Sequence, residues 1–204
     1  MRIPLDTVLL VVDLQKAIDD PSWGARNNPG AEAEIAGLLA AWRESGMPVV
    51  HVRHDSAEPR SPYRPGQPLH AFKPEAEPSP GEPVFAKASG SAFVGTGLED
   101  WLTRRGHTTL VVCGVLTHNS VETTVRHAGC LGFRAFVAGD ACWATARRDA
   151  TGRDWPAEAV HALSLANLDG EYATVVTARE AGLAARLIAS RKQPWRREDR
   201  FRPG

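Results

Sequence analysis

Leu110-Val111-Val112-Cys113-Gly114-Val115-Leu116-Thr117-His118-Asn119-Ser120-Val121-Glu122-Thr123-Thr124 is the stretch from which the fold is read. Its apolar opening, Leu110 to Cys113, has the unbroken β-branched and Leu character of a strand buried on both faces of a sheet. A glycine turn follows, and a helix is predicted to begin near Asn119 or Ser120. Such a strand-turn-helix junction aims backbone N–H groups and the positive end of a helix dipole at one point. Ser120 stands at that point. Its hydroxyl can serve as a helix N-cap, a frequent role for Ser, or as a nucleophile beside a site that would hold an oxyanion.

Outward from this junction, the chain alternates strands with helices. Strands are expected at Thr7–Val12, Pro48–Val52, Pro83–Lys87, Thr109–Cys113, Phe133–Ala138 and Ala173–Thr177. Helices are expected at Ala31–Ser45, Gly97–Arg105, Ser120–Leu131, Pro156–Leu168 and Ala178–Ser190. The apolar positions Ile35, Leu38, Leu39 and Trp42 recur at helical spacing, and Gly46 stops that helix. This alternation predicts an α/β domain with a mainly parallel sheet. Arg53 to Glu82 interrupts the pattern with a proline-rich excursion, a length more often functional or interfacial than idle. The expected domain spans residues 1–189. A basic tail over 190–204 carries Trp195 and Phe201, and its plain reading is a solvated end.

Composition narrows the function classes. The chain has 204 residues, with 24 Lys and Arg against 24 Asp and Glu, so no global field draws nucleic acid or an anionic membrane. No apolar run approaches the ~20 residues that span a bilayer. Three cysteines make no disulfide framework, and the cytoplasm is the expected compartment. There is no phosphate-binding glycine loop. His51, His54 and Asp55 lie close in sequence, but residues three apart on an extended segment face opposite ways, so no metal site is expected there. No cofactor is expected anywhere in the chain.

Two more residues stand where parallel sheets bind ligands, at the C-terminal ends of strands. Asp13 closes the first strand, ahead of Leu14 and Gln15, and Lys87 closes the third, ahead of Ser91-Ala92-Phe93. A carboxylate or an ammonium at such a position is costly unless paired. Asp13 could instead cap the following turn.

With these residues in this order, the chain resembles the isochorismatase-like hydrolases, also called the cysteine hydrolase superfamily. That group includes nicotinamidases, carbamoylsarcosine amidases and isochorismatases. The resemblance runs from about residue 7 to residue 187. It rests on Asp13-Leu14-Gln15, on Lys87 before Ser91-Ala92-Phe93, and on Gly114-Val115-Leu116-Thr117 leading into Val121-Glu122-Thr123-Thr124. It implies a three-layer sandwich whose six-stranded sheet carries helices on both faces. It also implies Asp13 as general acid and base, Lys87 as the orienting cation, position 120 as nucleophile, and a cis Val115–Leu116 peptide. The N–H groups of Leu116 and Ser120 would then form an oxyanion hole.

The amidases of the family have Cys where this chain has Ser120. A thiol becomes a thiolate in such a field, whereas a hydroxyl stays protonated until a base takes its proton during attack. Three enzymatic readings follow. Ser120 is a working nucleophile for a C–N amide-type bond; or it is a Cys replacement that inactivates such a site; or Asp13 alone cleaves a vinyl ether as the isochorismatases do. A non-catalytic binding protein on the same fold is the remaining reading. Cys142, beyond the fifth strand, is the one cysteine with a plausible view of the site. Gln15, Trp23, Phe93, His118, Asn119 and Trp143 are expected as substrate-contacting walls by position. The expected partners are a small-molecule substrate and a second or fourth copy of the chain, as homodimer or homotetramer.

Overall fold

The structure is a computed structural model, and it describes residues 1–190. The basic tail with Trp195 and Phe201, from position 191 onward, lies outside the described residues. In chain order the main elements are β1 (Val8–Val12), α1 (Ala31–Glu44), β2 (Val49–His54), β3 (Val84–Lys87), α2 (Leu98–Arg104), β4 (Thr109–Val115), α3 (Glu122–Cys130) and β5 (Arg134–Trp143). A two-stranded ribbon follows, β6 (Arg147–Arg148) and β7 (Asp154–Trp155), and then α4 (Ala157–Leu168), β8 (Ala173–Val176) and α5 (Ala178–Ser190).

Six strands form one sheet in the order β3-β2-β1-β4-β5-β8, every neighbouring pair parallel. All five residues of β1 and all seven of β4 are buried, as their continuous apolar runs demand. Each such Val or Leu is worth about 1.5–3 kcal/mol over its exposed state. The helices α1 and α5 pack together against one face of the sheet, and α3 and α4 cover the other. The result is the expected three-layer α/β sandwich. On α1 the stripe Ile35, Leu38, Leu39 and Trp42 is wholly buried, and the Trp42 indole N–H donates to Thr7 O at 3.0 Å.

The strand order places the site. From β1 the chain moves outward through β2 to β3, and then returns to set β4 on the other side of β1. The crevice between the C-terminal ends of β1 and β4 is therefore a topological switch point, where open parallel sheets bind ligands. Contact between these two strands is unusually close. Gly114 has φ 119°, and a Cβ there would overlap the carbonyl oxygen of Val12 and come within 2.7 Å of its nitrogen. Only glycine fits.

Several expected boundaries move, among them β4, which runs to Val115, and β2, which runs to His54. β5 runs on to Trp143 instead of ending at Ala138, because its register against β4 shifts from Val112↔Val137 to Gly114↔Cys142 through a bulge. Gly139 and Asp140, which read as a strand end, sit in that bulge. The helix after β4 also starts later than expected. Thr117–Val121 forms a π-helical turn, and regular α-helix begins only at Glu122. The ribbon β6–β7 has no counterpart in the sequence reading, since two-residue strands carry no periodicity.

The proline-rich excursion is folded onto the sheet edge. Gln15 holds it, with Nε2 donating to His54 O at 3.1 Å and His70 O at 2.8 Å while Oε1 accepts from the His54 N–H. Lys73 anchors it further, its ammonium bonded to Asp19 at 2.7 Å and Glu32 at 2.9 Å.

Candidate active site

A cavity of about 220 Å³ opens at the switch point. Asp13 and Ser120 line it. Lys87, buried behind them with 2% of its surface exposed, connects the two. Its ammonium donates to Asp13 Oδ2 at 2.6 Å, to Ser89 O at 3.0 Å and to Ser120 Oγ at 3.2 Å. Three residues from the ends of β1, β3 and β4 thus meet through one cation.

Each is held by its element. Asp13 leaves β1 with φ 54°, a left-handed conformation that Asp tolerates better than most residues. Its N–H still donates to Val52 O at 2.8 Å, so the residue turns while anchored to the sheet. Burial raises its pKa above the ordinary aspartate value, and the ammonium beside it pulls the other way. Asp13 Oδ1 is buried and has no partner among the described residues. An acceptor in that position is ready to take a proton. Ser120 sits in the π turn, where Leu116 O accepts from the N–H groups of both Asn119 (3.0 Å) and Val121 (3.2 Å). Among the described residues, no acceptor outside the turn takes the backbone N–H of Leu116 or of Ser120. The Val115–Leu116 peptide is cis.

Of the expected walls, Trp23 and Asn119 line the cavity, and so does Leu116, expected there as an oxyanion-hole donor. The others do not, because residue position along a loop does not set side-chain direction. Gln15 is fully buried and spends its amide on the excursion, as described above. Phe93 stacks on Phe133 at 5.7 Å, and Trp143 is buried beneath the Arg26 guanidinium at 4.1 Å. His118 faces a separate surface hollow with Arg147, Trp155 and Leu163. Cys142 is closed off from solvent and burial pushes its thiol up to about 12, so it is no candidate nucleophile. Cys113 is likewise buried, and Cys130 is exposed on the surface.

Other wall residues were not anticipated: Ile18, Ser61, Tyr63, and the Ala88-Ser89-Gly90 lip. Tyr63 arrives from the excursion, its ring edge-on to Trp23 at 6.1 Å and to His54 at 5.6 Å. Burial, with Asp13 nearby, holds its phenol well above the usual value, so it stays neutral. His54 also faces the cavity, its Nδ1 3.4 Å from the Lys87 ammonium. Burial and that ammonium lower its pKa, leaving an uncharged ring at neutral pH. His51 points the opposite way, to Glu82 at 2.8 Å, as alternation along β2 requires. Among the described residues no three His, Cys, Asp or Glu side chains converge to hold a metal ion, and no helix is long and apolar enough to cross a membrane.

Known proteins resemble this chain in sequence and fold. Residues 7–180 match the isochorismatase domain. A protein of the isochorismatase family from Chromobacterium violaceum superposes with a TM-score of 0.88 at 56% identity, covering 91% of this chain and 96% of that one. The isochorismatase family protein YrdC of Bacillus subtilis is 40% identical over 83% of this chain and 90% of its own length. Maleamate amidohydrolase of Pseudomonas putida is 29% identical over 89% of this chain and 87% of its own.

Proposed function

The chain belongs to the isochorismatase family of hydrolases, and from that premise we propose that it cleaves an amide-type C–N bond of a small molecule. The observation that carries this reading is the Lys87 ammonium bonded at once to the Asp13 carboxylate and the Ser120 hydroxyl. A buried ion pair is a poor stabilising device, since its desolvation offsets most of its attraction. Its placement in a cavity beside a hydroxyl speaks for chemistry. The relative that acts on maleamate is named an amidohydrolase.

In the proposed reaction Ser120 Oγ attacks the carbonyl carbon as its proton passes to Asp13 Oδ1. Accepting an N–H from Lys87 leaves the Ser120 proton free to point at that carboxylate. The oxyanion lies between the N–H groups of Leu116 and Ser120, a donor pair of the kind worth about 3–4 kcal/mol per donor. Asp13 then protonates the leaving nitrogen, and water hydrolyses the acyl-enzyme with Asp13 again as base. Lys87 keeps Asp13 ionised between these steps. A raised aspartate pKa suits both halves of the cycle, since base and acid strength are then closer to balance. A hydroxyl attacks less readily than a thiolate at this position, so the reading predicts a slow enzyme that Ser120→Cys accelerates.

Burial of Asp13 with a raised pKa also favours a second reading, in which Asp13 protonates a vinyl ether and Ser120 plays no covalent part. Turnover of amides and of vinyl ethers by Ser120→Cys, Ser120→Ala and Asp13→Asn decides between them. Loss in both Ser120→Ala and Asp13→Asn supports the amidase. Full activity on any substrate in Ser120→Ala, with loss in Asp13→Asn, supports the ether route. Indifference to all three leaves a binding protein.

A further inference from the structure

Behind the elbow, on the side away from the cavity, three side chains from distant parts of the chain meet. His161 on α4 is 8% exposed. Its Nδ1 lies 2.8 Å from Thr117 Oγ1, and its Nε2 lies 3.4 Å from Asn28 Nδ2. Asn28, at φ 46°, donates through the same Nδ2 to Cys142 O at 2.7 Å and Gly139 O at 3.2 Å. The neighbouring Asn27 pairs with Ala144 in both directions, at 3.3 and 2.7 Å. One connected path therefore runs from the loop that carries Trp23, across the bulged end of β5, through α4, to the elbow.

We infer that His161 is a positioning residue of the hydrolytic site, fixing Thr117 and through it the Leu116 and Ser120 N–H groups; this rests on the amidase reading of the elbow. Thr117 is the first residue of the π turn and Ser120 its fourth, so any rotation of Thr117 re-aims both flanking N–H groups. A threonine hydroxyl near a helix start usually bonds locally to the backbone. This one is instead partnered by a ring 44 positions away.

The donor inventory assigns the proton. Both hydrogens of Asn28 Nδ2 already face the two β5 carbonyls, so an N–H on His161 Nε2 would meet a donor. The tautomer that fits carries its proton on Nδ1 and donates it to Thr117 Oγ1. The side chain at 161 thus has one directed bond to the elbow and one weak contact to the loop.

Alkylation by iodoacetamide of the thiol introduced by Ser120→Cys reads the elbow without any substrate, with peptide mass separating it from the exposed native Cys130. Followed from pH 5 to 10, its midpoint is expected below the ~8.5 of an ordinary thiol, because Lys87 and the elbow N–H groups face it. Adding His161→Ala is expected to raise that midpoint and to slow alkylation at pH 7 at least ten-fold. Thr117→Val is expected to do the same, and the two together to do no more than either, as one shared interaction requires. His161→Asn, whose amide N–H reaches the place of Nδ1–H, restores the rate. Alkylation within two-fold in His161→Ala, or equal rates for the Ala and Asn variants, overturns the inference. Should His161→Ala fail to fold, Thr117→Val and His161→Asn carry the same comparison. A depressed midpoint indifferent to residue 161 sinks this inference alone, whereas an ordinary midpoint in Ser120→Cys itself sinks the nucleophile reading and this one with it.

Discussion

Replacing Lys87 by Met tests the electrostatics of the ion pair behind the cavity. The side chain is nearly isosteric but removes an ammonium held 2.6 Å from Asp13 Oδ2. The Asp13 carboxylate, 4% exposed and with its other oxygen already unpartnered, is left buried without a counter-charge. Breaking one side of a buried pair costs about 3–5 kcal/mol. At about 2–4 °C per kcal/mol for a chain of this size, the melting midpoint falls by about 6–20 °C. The loss depends on pH with a definite sign. Burial already raises the Asp13 pKa with Lys87 present, and without the ammonium it rises further. A carboxyl whose folded pKa exceeds its unfolded value, ~3.9, contributes its full stability below that value and loses it as pH climbs through the folded pKa. Lys87→Met should therefore suffer most near pH 8 and least near pH 4. Lys87→Met/Asp13→Asn, measured at each pH by urea unfolding, removes the titrating group and supplies the baseline. A gap between these two variants that stays flat from pH 4 to 8, or a single-variant loss under about 1 kcal/mol at pH 8, refutes the reasoning.

Three further outcomes are expected. Gly114→Ala forces a Cβ into the Val12 backbone at φ 119° and should cost about 3 kcal/mol or more; a thermal midpoint within 2 °C of the parent would show that the strands can part. Gln15→Ala strips partners from the His54 N–H and from the carbonyls of His54 and His70, a loss of about 2–4 kcal/mol, and chymotrypsin should then cut the excursion near Tyr63 faster; an unchanged cleavage rate would deny the clamp. Burial lifts the pKa of Glu32, but bonds from Arg26 and Lys73 outweigh it and bring the group to about 2. With its folded pKa depressed, the stability it contributes is present above about pH 4.5 and lost as pH falls toward 2, so Glu32→Gln should be less stable by about 1–2 kcal/mol at pH 6, after solvent screening, and equal to the parent near pH 2. A deficit that persists unchanged at pH 2 counts against it.

Periodicity made the sheet legible. The unbroken apolar runs of β1 and β4 could only be buried on both faces, and the stripe on α1 could only face them. Asp13, Lys87 and Ser120 were legible for a related reason, since each lies at or shortly beyond the C-terminal end of a strand and parallel strands bring those ends to one edge. What periodicity does not encode is direction beyond the strand. Gln15 and Phe93 follow site residues closely in sequence, yet one clamps the excursion and the other stacks on Phe133. Tyr63 reaches the cavity from a segment with no repeat at all, placed by Gln15 and by the ion pairs of Lys73, contacts that exist only once the chain has folded. The true end of β5 was hidden by its bulge, where Gly139 and Asp140 imitate a turn.

The tight approach of Gly114 to Val12 bears on how such a protein diversifies. Residue 120 is placed by a glycine pressed on a neighbouring backbone, by the Leu116 carbonyl and by a turn of fixed pitch, all of which act on main chain. Its own side chain is not part of that frame. On the proposed amidase reading, the frame therefore works as a socket defined by main chain, and a single Ser-to-Cys exchange at 120 would change the attacking atom without touching the contacts that build the fold.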